Sequence, residues 1–323
     1  MKTFLKILAV TVLLLIGAVA LARYWYLQGD EIDPPALPGV VDSGVLRHGG
    51  HQRHWLAYVP ASKQENPPLL IFLRGSGSDG AMARSGTYYS FDVLAERAGF
   101  VVVYPTGFER HWNGCRAAAN YAANQQNIDD VGYIRLLVAS MAERYGIDQS
   151  RVFAAGMSNG GHMVYRLAYE APDLLAGAAA LMANLPTKEN SECKPQGKPV
   201  PMLILTGTED AINPYAGGEV KVYGQSRGSV QSAQASARYW AELAGYSASP
   251  DVSTRPETDP NDGTSIESLK WAAADKASVT LLSIVGGGHT FPNPVYSAPR
   301  ILGVTSHEAD AAELIWEFFS QLR

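Results

Sequence analysis

Short apolar runs alternate with amphipathic stretches along most of this chain. The run Leu69–Leu73 is wholly apolar and is closed by Gly75, a pattern that is typical of a strand buried on both faces. Comparable runs recur towards the C-terminus at intervals that leave room for helices between them. The other predicted strands are Phe100–Tyr104, Arg151–Ala155, Ala178–Met182, Met202–Leu205, Ser265–Trp271 and Val279–Val285.

The predicted helices lie between these strands. The longest opens at Ile128 and runs to about Tyr145, with apolar residues at helical spacing. Asp129 and Asp130 lie at its start, where a helix favours negative charge. The remaining predicted helices are Phe91–Ala98, Asn159–Glu170, Val230–Leu243 and Glu308–Leu322.

The alternation of strand and helix predicts an α/β protein with a mostly parallel sheet and helices on both faces. Before it, Val45–Val59 is typical of an antiparallel hairpin that turns at Gly49 and Gly50. We expect this hairpin at one edge of the sheet. Active sites of such sheets lie outside the carboxyl ends of the strands, so the residues that follow each strand are the candidates for chemistry.

The N-terminal segment differs from the rest of the chain. Residues 1–22 have a basic start at Lys2 and Lys6 and are then almost purely apolar, which predicts an export signal or an uncleaved membrane anchor. Small residues near Ala22 offer cleavage points, whereas the aromatic residues that follow favour an anchor. We expect residues 23–40 to be a linker and 41–323 to be the catalytic domain.

Composition supports one large domain and excludes some partners. The chain has 323 residues, is 46% hydrophobic and carries a formal net charge of −5. It can bury a full core, and it lacks the basic surface that nucleic acids require. The acidic stretch 257–262 has the wrong ligand spacing for calcium. We therefore expect no metal, no cofactor and no nucleic-acid partner.

The strongest chemical motif follows the predicted strand Arg151–Ala155. Segment 156–161 reads GMSNGG, a G-x-S-x-G sequence between a strand and a helix. This is the nucleophile elbow of the α/β-hydrolase fold, in which a strained turn presents a serine. We interpret Ser158 as the nucleophile.

A serine nucleophile needs a base, and the base needs an orienting acid. In the α/β-hydrolase fold both follow the serine along the chain, the acid first. Asp210 comes after the strand Met202–Leu205, and we favour it over Glu209. His289 lies on a glycine-rich loop after the strand Val279–Val285, and we favour it over His307.

The oxyanion hole of this fold is made of backbone N–H groups. One is expected from Asn159, directly after the nucleophile. The other is expected from the turn 74–77, RGSG, which follows the first core strand. Within that turn we choose the amide of Ser76.

Four motifs together resemble the feruloyl esterase and polyhydroxybutyrate depolymerase family of carboxylesterases. They are IDDVGYI at 128–134, GMSNGG at 156–161, GTED at 207–210 with PYAGG at 214–218, and GGGHTFP at 286–292. The likeness covers the chain from about Leu69 to the C-terminus. It implies an exported enzyme, periplasmic or secreted, that cleaves hydroxycinnamoyl, acetyl or hydroxyalkanoate esters. It implies the same nucleophile, acid and base: Ser158, Asp210 and His289.

The chain departs from the family at one position and follows it at another. The family usually has His-Gly where this chain has Arg74 and Gly75, which leaves the triad intact but alters the oxyanion loop. Segment 112–115, WNGC, is similar to the family pattern. Trp112 is therefore either an aromatic wall of the substrate pocket or a buried core residue.

Two cysteines are present, Cys115 and Cys193. Export would place them in an oxidising compartment, where a disulfide persists. Both lie in loops that we expect at the carboxyl edge of the sheet. We predict a disulfide between them, with two buried free thiols as the alternative.

These observations predict a serine-dependent carboxylic ester hydrolase that works through an acyl-enzyme. A serine peptidase on the same fold is a second possibility, although such peptidases usually carry an extra domain for which the chain has no room. A catalytically inactive binding protein is a third, supported only by the change at Arg74.

Overall fold

The computed structural model describes residues 2–222 and 224–322. Met1 and Arg323, at the ends of the predicted N-terminal segment and catalytic domain, lie outside the described residues. The strands are β1 (Val40–His48), β2 (His51–Val59), β3 (Leu69–Leu73), β4 (Val101–Pro105), β5 (Val152–Met157), β6 (Gly177–Leu181), β7 (Met202–Gly207), β8 (Gly218–Val222), β9 (Gln225–Val230), β10 (Asp251–Thr254), β11 (Ser265–Ala273) and β12 (Lys276–Val285). The helices are α1 (Lys2–Leu27), α2 (Gly80–Ser85), α3 (Ser90–Ala98), α4 (Ala122–Gln125), α5 (Asp130–Tyr145), α6 (Asn159–Glu170), α7 (Ala233–Leu243) and α8 (Ala311–Ser320).

Ten strands form one sheet in the order β1-β2-β4-β3-β5-β6-β7-β12-β11-β10. The six central strands, in the order β4-β3-β5-β6-β7-β12, are parallel. Each adjacent pair among them is hydrogen-bonded in parallel register. The hairpin β1–β2 adds antiparallel strands at one edge, and β10 and β11 add them at the other. The sheet confirms the predicted α/β-hydrolase architecture.

Helices cover both faces of the sheet. On one face α5, α6 and α7 pack Leu137, Leu167 and Trp240 against the strands. On the other face α3 and α8 contribute Phe91 and Phe319. Strands β3 to β7 are buried along their whole length, as their apolar sequences predict, because both of their faces are covered.

Several element bounds differ from the sequence predictions. Helix α7 begins at Ala233, not Val230, because the Ser232 side chain caps it by accepting the Ala235 N–H at 3.1 Å. Helix α8 begins after Asp310, whose side chain accepts the Ala312 N–H at 2.8 Å. The sequence pattern predicts no helix at α2 or α4 and no strands at β8, β9 and β10.

The N-terminal helix α1 is separate from this core. It is apolar, long enough to cross a membrane, and exposed over its candidate span Val10–Leu27. It continues five residues beyond the predicted boundary at Ala22. Its last turn and the segment after it lie against the catalytic domain: the Trp25 ring is 4.3 Å from the Arg300 guanidinium, and the Asp30 N–H donates to the Ser297 carbonyl at 2.8 Å.

Candidate active site

Ser158 occupies a strained turn between β5 and α6. Its φ of 58° and ψ of −120° lie outside the regions that L-residues favour. The turn is tight because the glycines around it have no side chains: a Cβ on Gly160 would clash with the carbonyl oxygen of Leu73, and a Cβ on Gly156 would meet that of Gly160. The Ser158 N–H donates to Leu181 at 2.8 Å. The backbone thus holds this serine in an elbow at the carboxyl end of β5.

Asp210 and His289 form a buried pair. They lie on the loops that follow β7 and β12, which come after β5 and β6 in the order of the sheet. The Asp210 carboxylate lies 2.7 Å from Nδ1 of the His289 ring. Its other oxygen accepts the N–H groups of Ile212 and Asn213, both at 2.8 Å. The His289 N–H donates to the carbonyl of Leu302 at 2.7 Å. These hydrogen bonds hold the Asp210 carboxylate and the backbone of His289 in place.

The sheet explains why these residues meet. Strands β5, β6, β7 and β12 are neighbours and parallel, so the loops after them leave the same edge. Asp210 lies three residues after β7, and His289 four residues after β12. The structure brings Asp210 rather than Glu209 to the imidazole. The rival base His307 instead bonds the Asn293 carbonyl through Nδ1 at 2.7 Å.

The turn after β3 approaches the serine closely. A Cβ built on Gly75 would lie 3.1 Å from Cβ and 3.6 Å from Oγ of Ser158. The predicted oxyanion donors therefore flank the nucleophile: Asn159 follows it in the chain, and Ser76 follows Gly75. An N–H pair in such a position can stabilise the negative oxygen of a tetrahedral intermediate.

Trp112 connects the turn after β3 to the start of α6 through hydrogen bonds. It is only 2% exposed and belongs to a buried hydrophobic cluster, which favours the core interpretation over the aromatic wall of a substrate pocket. Its indole N–H donates to the Arg74 carbonyl at 3.1 Å. The Asn159 side chain accepts the Trp112 N–H at 2.7 Å and donates to its carbonyl at 3.0 Å. Trp112 thus positions both predicted oxyanion segments.

Sequence reasoning missed a second support of the oxyanion turn. The Ser76 hydroxyl donates to the Tyr121 hydroxyl at 2.9 Å, and the Arg227 guanidinium lies 4.9 Å from the Tyr121 ring. Burial raises the pKa of Tyr121, but Arg116, Ser76 and Arg227 outweigh burial and lower that pKa below its usual value. No local motif indicates these contacts, since they join residues tens of positions apart.

The predicted disulfide is present. Cys115 and Cys193 are joined across 78 residues of sequence. The bridge ties the loop that carries Trp112 to the loop after β6. Arg116, which directly follows Cys115, is 3% exposed. The disulfide and the apolar N-terminal helix together indicate an exported protein.

A cavity of about 410 Å³ opens beside the pair. His289 and Met157, the residue before the serine, line it together with Arg74 and Tyr88. The linker contributes its outer wall through residues 29–32. Across residues 2–222 and 224–322 there is no group of three or more His, Cys, Asp or Glu side chains that could hold a metal ion.

Comparisons with known proteins find esterases. The family model described as Esterase PHB depolymerase matches residues 54–188. The putative esterase NocK of Nocardia uniformis subsp. tsuyamanensis is 26% identical over 263 residues, which are 79% of this chain and 74% of that protein. Feruloyl esterase B of Piromyces equi is 29% identical over 163 residues, 50% of this chain and 29% of that longer protein.

A solved structure shows the same fold. Acetyl xylan esterase from Aspergillus awamori superposes with a TM-score of 0.56 at 18% identity and covers 86% of this chain and 99% of that one. Fold, site and relatives together define an α/β-hydrolase that hydrolyses carboxylic esters. Within that class, the chain is a carboxylesterase that is similar to feruloyl esterases and to the polyhydroxybutyrate depolymerase family model.

Proposed function

We propose that this carboxylesterase cleaves hydroxycinnamoyl, acetyl or short hydroxyalkanoate esters through an acyl-enzyme on Ser158. The observation that carries the proposal is the buried Asp210–His289 pair at 2.7 Å, on the loops that leave the sheet beside the serine elbow. Relatives named for feruloyl and acetylxylan esters support the choice of acyl groups.

The chemical steps follow from the roles of the three side chains. The Ser158 hydroxyl attacks the ester carbonyl, and Nε2 of His289 takes its proton. Asp210 accepts the Nδ1–H bond, which keeps the imidazole in the tautomer that can act as a base and stabilises the imidazolium that forms. His289 then gives the proton to the departing alcohol oxygen. Water then attacks the acyl-enzyme. His289 takes a proton from the water and returns it to the Ser158 oxygen as the acid is released.

The negative oxygen of each tetrahedral intermediate needs donors that are already in place. We assign this role to the N–H groups of Ser76 and Asn159. Two side-chain hydrogen bonds support the assignment: the Asn159 side chain accepts the Trp112 N–H, and the Ser76 hydroxyl donates to the Tyr121 hydroxyl. Because both side chains are held, both backbones are fixed before substrate arrives.

The N-terminal segment serves this enzyme as an export signal or, if it is retained, as a membrane anchor. Residues 1–22 are the targeting part, 23–40 the linker and 41–323 the catalytic domain, which would then act in the periplasm or outside the cell. A retained segment would hold the catalytic domain near the membrane, since Trp25 and Asp30 contact it. The mass of the mature N-terminus and the membrane fraction of the protein distinguish the two.

The test is the Ser158→Ala variant, assayed on p-nitrophenyl acetate, methyl ferulate and a hydroxybutyrate oligomer. We expect kcat to fall on the order of 10⁶-fold on every ester that the wild type cleaves, with an unchanged circular dichroism spectrum. Ser247→Ala, at an exposed loop position, is the matched control and should keep full activity. Substantial residual turnover in Ser158→Ala would falsify the assignment.

A further inference from the structure

Arg74 stands out among the residues that line the cavity beside His289. It is half-buried and follows β3, directly before the turn that approaches Ser158. Its Nη1 donates to Sδ of Met157 at 3.2 Å, and Gly86 lies against the guanidinium on another side. The family that the chain resembles usually has histidine at this position, where this chain has arginine.

The Arg74 charge has no anionic partner in the part of the chain that the structure describes. Its one hydrogen bond goes to a thioether, which is a weak acceptor. Burial lowers the pKa of the guanidinium, yet arginine stays protonated at every pH at which proteins are folded. A positive charge removed from water is costly unless an anion compensates it. The missing anion is therefore expected from a ligand.

The carboxylates nearest to the cavity do not supply it. Asp30 and Glu31 line the outer wall on the linker. The Asp30 carboxylate accepts the Ser297 N–H at 2.7 Å, and among the described residues neither Asp30 nor Glu31 forms an ion pair with Arg74. Burial raises the pKa of Tyr88 to about 12, so its hydroxyl is neutral and offers no charge to Arg74. A ligand anion in the cavity would thus find its favourable partner at the inner, Arg74 end.

The cavity reaches the side chain next to which the alcohol leaves in the proposed mechanism. His289 lines it, and in the proposed mechanism His289 protonates the departing alcohol oxygen. The group attached to that oxygen must pass next to the imidazole, and from there it faces Arg74 across the same cavity. A volume of about 410 Å³ is in the range of small-molecule sites.

We infer that Arg74 binds a free carboxylate carried by the alcohol portion of the substrate. This inference rests on the proposed function and deepens it. The favoured substrates are then esters of hydroxy acids whose own carboxyl group is free, such as the carboxyl-terminal ester of a hydroxyalkanoate oligomer. Hydrolysis releases the free hydroxy acid from the Arg74 side and the acyl group from Ser158.

The experiment compares two esters that differ only in this charge: 3-acetoxybutyrate and its uncharged amide, 3-acetoxybutanamide. A charge-assisted hydrogen bond to the guanidinium should give the wild type a kcat/KM that is about 10- to 100-fold higher for the carboxylate. Arg74→Met should bring this ratio close to one, and Arg74→Lys should keep part of it. Arg74→Gln serves as a second neutral variant should Arg74→Met fail to fold.

The control is Arg135→Met, which removes an exposed arginine paired with Asp173 on the surface. It changes the net charge by the same amount and should leave the ratio at the wild-type value. Equal kcat/KM for both esters in the wild type, or an unchanged ratio in Arg74→Met and Arg74→Gln, overturns the inference while the proposed function stands. Failure of the wild type to cleave p-nitrophenyl acetate contradicts the proposed function itself.

Discussion

Arg53 and Arg74 differ in what surrounds their charges. Arg53, on β2, is 2% exposed, and its Nη2 lies 2.6 Å from the Asp130 carboxylate. Its guanidinium also lies 4.0 Å from the centre of the Tyr133 ring. Arg74, at the end of β3, faces a cavity and a methionine sulfur. The Arg53 charge is paired with a carboxylate within the fold, whereas the Arg74 charge has no carboxylate partner beside the predicted nucleophile.

From this difference we assign a structural role to the charge of Arg53 and a substrate-binding role to the charge of Arg74. The Arg53 pair joins the edge hairpin to the start of α5, and the second Asp130 oxygen accepts the Asn113 N–H at 2.7 Å. Burial raises the pKa of Asp130, although the positive charge of Arg53 acts to lower it. Breaking such a pair should damage folding, whereas changing Arg74 should alter the choice of substrate. The predictions below test this division.

The largest effect is expected at the other buried pair, inside the site. Asp210→Asn should lower kcat about 10⁴-fold, because an amide no longer holds the His289 tautomer required for a base. Stability should change far less than activity, which steady-state kinetics and denaturant unfolding would show together. Glu209→Gln is the matched control; if it proved the more damaging change, the acid would be misassigned by one position.

The second prediction concerns the structural charge. Asp130→Asn leaves Arg53 buried without its counter-charge, and should reduce the free energy of unfolding by about 3–5 kcal/mol. Urea denaturation measures the loss. Asp173→Asn breaks an exposed ion pair with Arg135 and should cost less than about 1 kcal/mol. Similar losses in the two variants would contradict the contrast between paired buried charges and surface charges.

The third prediction concerns the loop next to Arg116. Replacing Cys115 and Cys193 by serine opens a crosslink that spans 78 residues, and should lower the free energy of unfolding by about 2–4 kcal/mol. Activity per folded molecule should also fall, because Trp112 and its oxyanion contacts lie on this loop. Thiol titration of the denatured, unreduced wild type should detect no free cysteine; two free thiols would rule the bridge out.

The smallest effect is expected at His162, just after the elbow. Burial, then Arg116 and His289, hold the pKa of His162 well below its ordinary value of 6.5. Above pH 6.5 the ring is neutral in both states. Below it, the unfolded chain binds a proton that the folded protein does not, so stability falls with decreasing pH by at most about 1.4 kcal/mol per pH unit.

His162→Gln should remove this contribution. Unfolding free energies measured from pH 7.5 downwards should therefore fall less steeply in the variant than in the wild type. Parallel pH profiles in the two proteins would show that the pKa of His162 is the same in the folded and unfolded states, and would contradict a lowered pKa.

The central strands and the order of the chemical motifs could be predicted because both are local. Five consecutive apolar residues are enough to identify a strand such as β3, and the G-x-S-x-G spacing is enough to identify an elbow. Pairing Asp210 with His289 needed only the rule that parallel strands end at one edge. Helix ends were less accurate, since a single capping side chain, as at Ser232 or Asp310, decides them.

What could not be predicted depends on contacts between distant residues. The bond from Ser76 to Tyr121 and the docking of Asp30 against Ser297 leave no periodic signal. The exposed hairpin β8–β9 has little apolar pattern to detect. Trp112 was ambiguous because an indole ring suits a core or a pocket equally well, and only its hydrogen bonds to neighbours distinguish the two.

The most direct test of the account is to identify the residue that a fluorophosphonate probe labels. The probe reacts with a serine only where a base activates the hydroxyl. We expect peptide mass spectrometry of the labelled protein to find one modified residue, Ser158, and we expect the Ser158→Ala and His289→Ala variants to stay unlabelled. A folded wild-type protein that takes up no probe, or takes it up at another serine, would contradict the claim that Ser158 is the nucleophile.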